Sequence, residues 1–369
     1  EWHLLGNHLF ANAKALVLAG LFFNGPEAAE WLRQGLAILA EQLPEQVLAD
    51  GAQFERSPMY HVLALEDVLD LINVVRASGH PLPGHTSGAW AEVASRMLRW
   101  MRAMTHPDGR LAQFNDSAHG IAPDGAEMER YAQALGVRAE PWMPSDLLHL
   151  RDSGYVRCDW SGATLFCDVA PVGPDYLPGH AHADTLSFEL SIADQRVVVN
   201  GGTSRYGASA RRVQERGTAS HSTVQVAGLD SSEIWSGFRV GRRAYPCDVS
   251  VGAGTVQASH DGYTWLPGRP LHTRLWQTTP NGLTVSDTVT GGHAAVARYH
   301  LATELSARQA ADGMWDICKG AKQLARVEVA HGRAVVQPSR HSPEFGSSFD
   351  TQCLAVELDD GRAKTNWSW

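Results

Sequence analysis

Apolar residues recur at helical spacing from residue 8 to about residue 135, in segments of 15 to 20 residues: His8–Phe23, Glu27–Gln42, Met59–Ser78 and Gly88–Met104. Short breakers such as NGPE and GHPLPGH separate them. The apolar faces are wide, which predicts helices packed in layers of antiparallel pairs.

After about residue 150 the period changes to two. The runs YVRCDW, ATLFCDV, LSFELSI, RVVVNGG, STVQVAG, GTVQASH, GLTVSDTVTG, RVEVAHG and RAVVQPS alternate apolar with polar positions and are closely punctuated by Gly, Asp and Asn. They predict antiparallel strands in a sandwich or in stacked sheets. The stretch Gly109–Gly125, rich in turn formers, lies in the crossover. Helices followed by strands, without alternation, exclude a doubly wound parallel sheet.

A chain of 369 residues exceeds one typical domain, so two are expected. A content of 44% hydrophobic and 19% charged residues marks a folded chain. The net charge of −9, with Lys and Arg scattered, argues against nucleic acid as a partner. The longest apolar stretch, Ala15–Phe23, is about half a membrane span. Five cysteines without a CxxC pair argue against a zinc ribbon or a dense disulfide framework. The opening EWHLLGNHLFANAKALVLAGLFF has no initiator Met and no basic region before its apolar core. It reads as a fragment or processed form lacking earlier helices, from which any export signal is gone.

Candidate chemistry centres on PGHAHADTLSFEL. If a strand extends back to His180, then His180, His182 and Asp184 share one face, where they can gather a metal or act in catalysis; the bland alternative is the polar edge of a strand. His221 also precedes a strand and Asn200 ends one, so His182, Asn200 and His221 can meet if those strands are neighbours. Asn is a weaker metal ligand than Asp. The helical half offers Asn7, His8 and Asn12 near a helix start, with an N-cap as the plain reading of Asn7, and also Tyr60 and His61. Glu55, Asp67, Asp116 and Glu129 could supply the paired carboxylates of a glycosidase. GxGxxG, P-loop and GxSxG patterns are absent.

Together, GNHLFANAKALVLAGLFF, SPMYHVLALEDVLDL, FNDSAHGIAPDG, PGHAHADTLSFEL, VVVNGGTSRYG, RGTASHSTVQVAG and SHDGYTWL resemble the heparinase II/III family of polysaccharide lyases, in family order and over nearly the whole chain. The resemblance implies an incomplete α/α toroid over residues 1–145 and an antiparallel β-sandwich over residues 146–369, with a substrate cleft between them. It implies β-elimination at a uronate of an acidic polysaccharide, in the periplasm or outside the cell, without an organic cofactor.

The same resemblance makes Asn7 the group that neutralises the uronate carboxylate, and Tyr60 and His180 the acid–base pair. It places His8, His61, Arg205, Tyr206 and Arg216 on the substrate. His182 and His221 match structural metal positions, commonly zinc, where Asn200 replaces the frequent Asp. A polyanionic substrate needs local positive charge, for which Arg56, Arg205, Arg211, Arg212, Arg216, Arg239, Arg242 and Arg243 are available. A hydrolase using toroid carboxylates and a non-catalytic polysaccharide-binding protein are the competing readings.

Overall fold

Residues 5–80, 86–140 and 147–369 are described by a computed structural model. The expected helices are present as α1 (Asn7–Phe22), α2 (Pro26–Gln46), α3 (Pro58–Ser78) and α4 (Thr86–Ala103). α2 continues past its expected end through Pro44 because Leu43 and Gln46 are still buried, so packing holds the last turn. α3 has complete end signals. The Ser57 hydroxyl accepts from the Tyr60 N–H, Pro58 opens the first turn, and Gly79 closes the helix in the left-handed conformation. That start holds Tyr60 in the first turn. A short fifth helix, α5 (Gly125–Ala134), buries Met128 and Ala132. The five helices share a core that includes Phe10, Val17, Leu39, Leu65, Ile72, Met97 and Met128.

All nine alternating runs contain strands. The described residues form antiparallel sheets of nine and eight strands and a two-stranded pair. Val156, Leu165, Leu190 and Val198 of the larger sheet pack in one cluster with Trp276, Val285, Ile317, Val327 and Trp367 of the other. The alternation seen in the sequence therefore has one face in a shared core. A further cluster of Trp100, Met104, Phe114, Leu150, Tyr155 and Phe166 joins α4 to the first strands, so helices and sheet pack directly against each other. The expected domain boundary, between residues 145 and 146, lies outside the described residues.

Two features differ from expectation. The strand containing LSFELSI begins only at Phe188, so His180, His182 and Asp184 lie on a loop and not on one face of a strand. The strand-rich half also contains a helix, α6 (Ala210–Arg216), capped by the Ser209 hydroxyl. Its arginine-rich sequence has little apolar periodicity to announce it.

Candidate active site

The histidine loop and helix α6 converge on Asp116. This carboxylate is fully buried, and its two oxygens hold two histidines: Oδ2 lies 2.9 Å from His180 Nδ1 and Oδ1 lies 2.8 Å from His182 Nε2. Arg212 of α6 closes on the same carboxylate with both terminal nitrogens, Nη2 at 2.6 Å from Oδ2. Burial alone would raise the Asp116 pKa. Hydrogen bonds from the two histidines and the charge of Arg212 outweigh it and hold the carboxyl well below its usual range. Asp116 is thus a fixed anion that orients both imidazoles.

His180 is the member of the cluster that reaches solvent, with its side chain 12% exposed. The Tyr60 ring stacks on it, with centroids 3.9 Å apart. Its Nε2 faces Glu55 at 3.5 Å, and the Asn7 backbone N–H also donates to that carboxylate. Burial raises the Glu55 pKa, against the pull of His180. The Tyr60 hydroxyl is 3.0 Å from that of Tyr206, whose ring lies between Phe238, Phe345 and the Arg212 guanidinium. Burial pushes the Tyr60 phenol up to about 12, with the Tyr206 hydrogen bond working in the other direction. Tyr60 therefore keeps its proton near neutrality.

The helix N-cap is Gly6, held at φ 64°, where an added Cβ would come within 2.3 Å of Leu177. Asn7 is consequently the first helical residue and not the cap, and its side-chain amide has no hydrogen-bond partner among the described residues. Arg205 is exposed beside Tyr206 and makes no side-chain hydrogen bond among the described residues.

Other expected contacts are corrected. His61 is fully buried: its Nε2 pairs with the Met97 carbonyl at 2.9 Å, its Nδ1 accepts from the Gln53 N–H, and its ring packs on Trp100, so it cannot touch substrate. Arg216 is buried as well, donating to the Ala181 carbonyl through Nε and Nη2 at 3.0 and 2.9 Å. Burial, then the charge of Arg212, brings its pKa down to about 10. It fixes the histidine loop and does not offer its charge to a ligand. His8 is exposed, and no hydrogen bond, ion pair or ring contact ties it to the cluster. Asp184 supports the turn, accepting from the Asn115 N–H at 3.4 Å while its carbonyl accepts from the Ser187 N–H.

The zinc expectation can be tested on its proposed ligands. His182 Nδ1 and His221 Nε2 do meet, at 3.3 Å. Asn200 Oδ1 faces the other nitrogen of His221, Nδ1, at 3.4 Å. Lone pairs on the two nitrogens of one imidazole diverge, so the three residues do not point at one centre. Among the described residues no group of three or more His, Cys, Asp or Glu side chains is arranged to hold a metal ion. The arrangement fits a hydrogen-bonded chain and not a three-ligand metal site.

Of the four carboxylates named from sequence, Asp67 pairs with Lys14 and Glu129 with Arg102, while Glu55 and Asp116 bracket His180. Arg212 and Tyr206 are the functional neighbours whose closeness to Tyr60 and Asp116 only the fold reveals. In the sequence Arg212 is one of eight candidate arginines, and Tyr206 is one of the substrate contacts that the resemblance implies.

Comparison with known proteins places this geometry. The heparinase II/III-like C-terminal model matches residues 143–369, and the heparinase II/III N-terminus model matches residues 1–135. FtsZ-localized protein C of Caulobacter vibrioides is 32% identical over 259 residues, 69% of this chain and 42% of that protein. A heparin-sulfate lyase of Bacteroides stercoris is 29% identical over 253 residues, 62% of this chain and 37% of the lyase. The chain thus spans less than half the length of these curated relatives. A heparinase III crystal structure shares the fold with a TM-score of 0.78 at 17% identity, over 98% of this chain and 61% of that one. With the C-terminal match alone covering more than half of its residues, the chain belongs to the heparinase II/III-like family.

Proposed function

We propose that the chain carries the catalytic cleft of a polysaccharide lyase that cleaves a uronate-containing acidic polysaccharide by β-elimination. The observation that carries this reading is the stacked Tyr60–His180 pair, with His180 anchored through Nδ1 on a buried, permanently charged Asp116. Two proton-transfer groups side by side, one anchored and one a protonated phenol, are what elimination requires.

With Nδ1–H donating to Asp116, His180 Nε2 is free to take the C5 proton of the uronate. The C5–H electron pair forms the C4=C5 double bond, the C4–O bond breaks, and the Tyr60 hydroxyl gives its proton to the departing oxygen. Glu55 beside Nε2 stabilises the imidazolium that forms. The uncommitted Asn7 amide donates to the uronate carboxylate and so lowers the cost of charge developing next to it. Exchange of one proton with water resets the pair. Every step uses side chains of the chain itself. On this reading the helices are part of an incomplete toroid, the two large sheets form a sandwich, and a polymer substrate places the protein in the periplasm or outside the cell. No described helix is long and apolar enough to cross a membrane.

The test is incubation with heparan sulfate, hyaluronan, alginate and bacterial exopolysaccharides while following the ultraviolet absorbance of a C4=C5 unsaturated uronate. Tyr60→Phe lowers kcat by about 10²–10⁴-fold and leaves saccharide binding near that of the parent. New reducing ends without the chromophore would replace the lyase reading with hydrolysis. The second reading is a polysaccharide-binding protein without turnover; one relative carries a name that refers to FtsZ localisation and not to a lyase. Binding unaffected by Tyr60→Phe, with no product from any polymer, would establish it.

A further inference from the structure

Helix α6 has a second face. Arg212 and Arg216 turn toward Asp116 and the histidine loop, whereas Arg211 and Gln214 line a cavity of about 670 Å³ on the other side. Its floor is the outer face of the nine-stranded sheet. Along the strand Ala295–Leu301, Ala297 and Tyr299 enter the shared core, so the alternate residues Arg298 and His300 are presented to the cavity. Ser339 and Gln337 form part of the wall.

Charges around this cavity are unequal in their satisfaction. Arg211 is held by Glu215 at 2.9 Å, and Arg340 by Asp350 at 3.1 Å. Arg298 makes no ion pair and no guanidinium hydrogen bond among the described residues, and its Nη1 is buried without a partner. His300 is 3% exposed. Its Nδ1 lies 2.7 Å from the Ser339 hydroxyl, while Nε2 is buried without a partner at hydrogen-bond distance, the Ala219 carbonyl exerting only a looser pull on the ring. A guanidinium nitrogen and an imidazole nitrogen, neighbours on one sheet face and both buried without a hydrogen-bond partner, are costly to leave so, and the cation suits an anionic acceptor.

We propose that this cavity is a second binding site, separate from the Tyr60–His180 cleft, for a compact hydroxylated carboxylate of the size of one sugar acid. Arg298 receives the carboxylate, with His300 supporting it, and Gln214, Gln337 and Ser339 meet hydroxyl groups. The volume is in the usual range for small-molecule sites, about 300–1,000 Å³, and far exceeds what an inorganic anion fills. The site stands whether or not the cleft is a lyase.

Isothermal titration of the whole chain with sodium glucuronate, sodium sulfate and glucose tests it. Glucuronate binds saturably at one site, and sulfate and glucose bind about tenfold more weakly or worse. Arg298→Gln weakens glucuronate by about tenfold or more. Gln214→Trp, at an exposed position that tolerates a large side chain, blocks the cavity without touching its floor. Glucuronate binding that survives both substitutions lies elsewhere and overturns the proposal, as does a parent protein that binds none. Sulfate binding as tight as glucuronate overturns the sugar-acid assignment.

Discussion

The same set of four residues, one Asp, one Arg and two His, is assembled twice in this molecule. In the cleft, Asp116 is clasped by Arg212 and bound by His182, which meets His221. Within the eight-stranded sheet, Asp287 is clasped by Arg274 through Nε at 2.7 Å and Nη2 at 3.0 Å, and bound by His272 Nε2 at 2.8 Å; His272 Nδ1 then meets His260 Nε2 at 3.1 Å. The second network is built on three adjacent strands, with His260 opposite His272 and Arg274 opposite Asp287, and all four residues are sealed from solvent. The first is gathered from loops and α6, and Asp116 there holds a fifth residue, His180, whose edge reaches the cleft beside Tyr60. On the proposed lyase reading, the chemistry rests on the extra histidine and its exposure, and the Asp–Arg–His–His set by itself is a way of burying polar groups in paired form.

Removing the central carboxylate breaks the comparison open most forcefully. Asp116→Asn and Asp287→Asn each leave a fully buried arginine without its counter-ion, at a cost of about 3–5 kcal/mol in urea unfolding. Only Asp116→Asn also lowers turnover per folded molecule, by about 10²-fold or more. An equal loss of turnover in Asp287→Asn would show that the sealed network is coupled to catalysis and would defeat the distinction.

The histidines give the next contrast. His180→Ala removes turnover by about 10²–10⁴-fold and changes stability by about 1 kcal/mol. His272→Ala has the opposite profile, costing about 1–3 kcal/mol because Asp287 and His260 each lose a buried partner, with kcat within about twofold of the parent. Measuring both quantities on both variants separates the networks.

Much of this could be read from the chain before folding, because periodicity is local. Four helices and nine strands announced themselves, and the motifs carrying Tyr60, His180, His182 and His221 were identifiable. What stayed hidden was direction and long-range convergence. Tyr60 and His61 are successive residues in a helix and point to different sides, so the second is buried and is not the substrate contact that the resemblance implies. Arg216 and Arg212 lie four apart on one short helix, yet one holds backbone carbonyls and the other holds Asp116. No local pattern says that two histidines more than sixty positions away will take the two oxygens of Asp116. SHDGYTWL carries no local sign of a buried network, although its His260 anchors the sealed one.

A titration probes the histidines of both networks together. Burial lowers the pKa of His182 to about 4 and of His221 to about 3, and lowers that of His272 from its usual value. His61 and His300 are brought to about 3 and His341 to about 4, again chiefly by burial. Each stays neutral in the fold while the unfolded chain takes up its proton near pH 6.5, so the unfolded state binds more protons and stability rises with pH. The contribution is fully present above about pH 6.5 and is lost as pH falls toward the folded-state values, by up to about 1.4 kcal/mol per pH unit for each histidine. Urea unfolding at stepped pH between 5 and 7.5 gives a steep positive slope, and His272→Gln reduces it by about one proton. An unchanged slope in that variant would mean that His272 is protonated in the fold, beside Asp287.

The far ends of the two chains differ most subtly. His260 Nδ1 accepts from the Gly262 N–H, so its Nε2 must carry the proton that goes to His272, and every group down to Asp287 has a determined role. His221 gives its Nε2 proton to His182, so its Nδ1 is an acceptor and faces another acceptor, Asn200 Oδ1, at 3.4 Å; that carbonyl accepts from the Ser222 N–H at 3.3 Å, while Asn200 Nδ2 is buried without a partner. The one bond to the Asn200 side chain is long, and its Nδ2 is already unsatisfied, so little is lost when the amide is removed. Asn200→Ala costs about 1 kcal/mol or less in urea unfolding and leaves turnover within about twofold, the smallest effect of the series. A loss of several kcal/mol would show that this amide is a structural anchor as firm as Gly262, and the two networks would then be equally rigid to their ends.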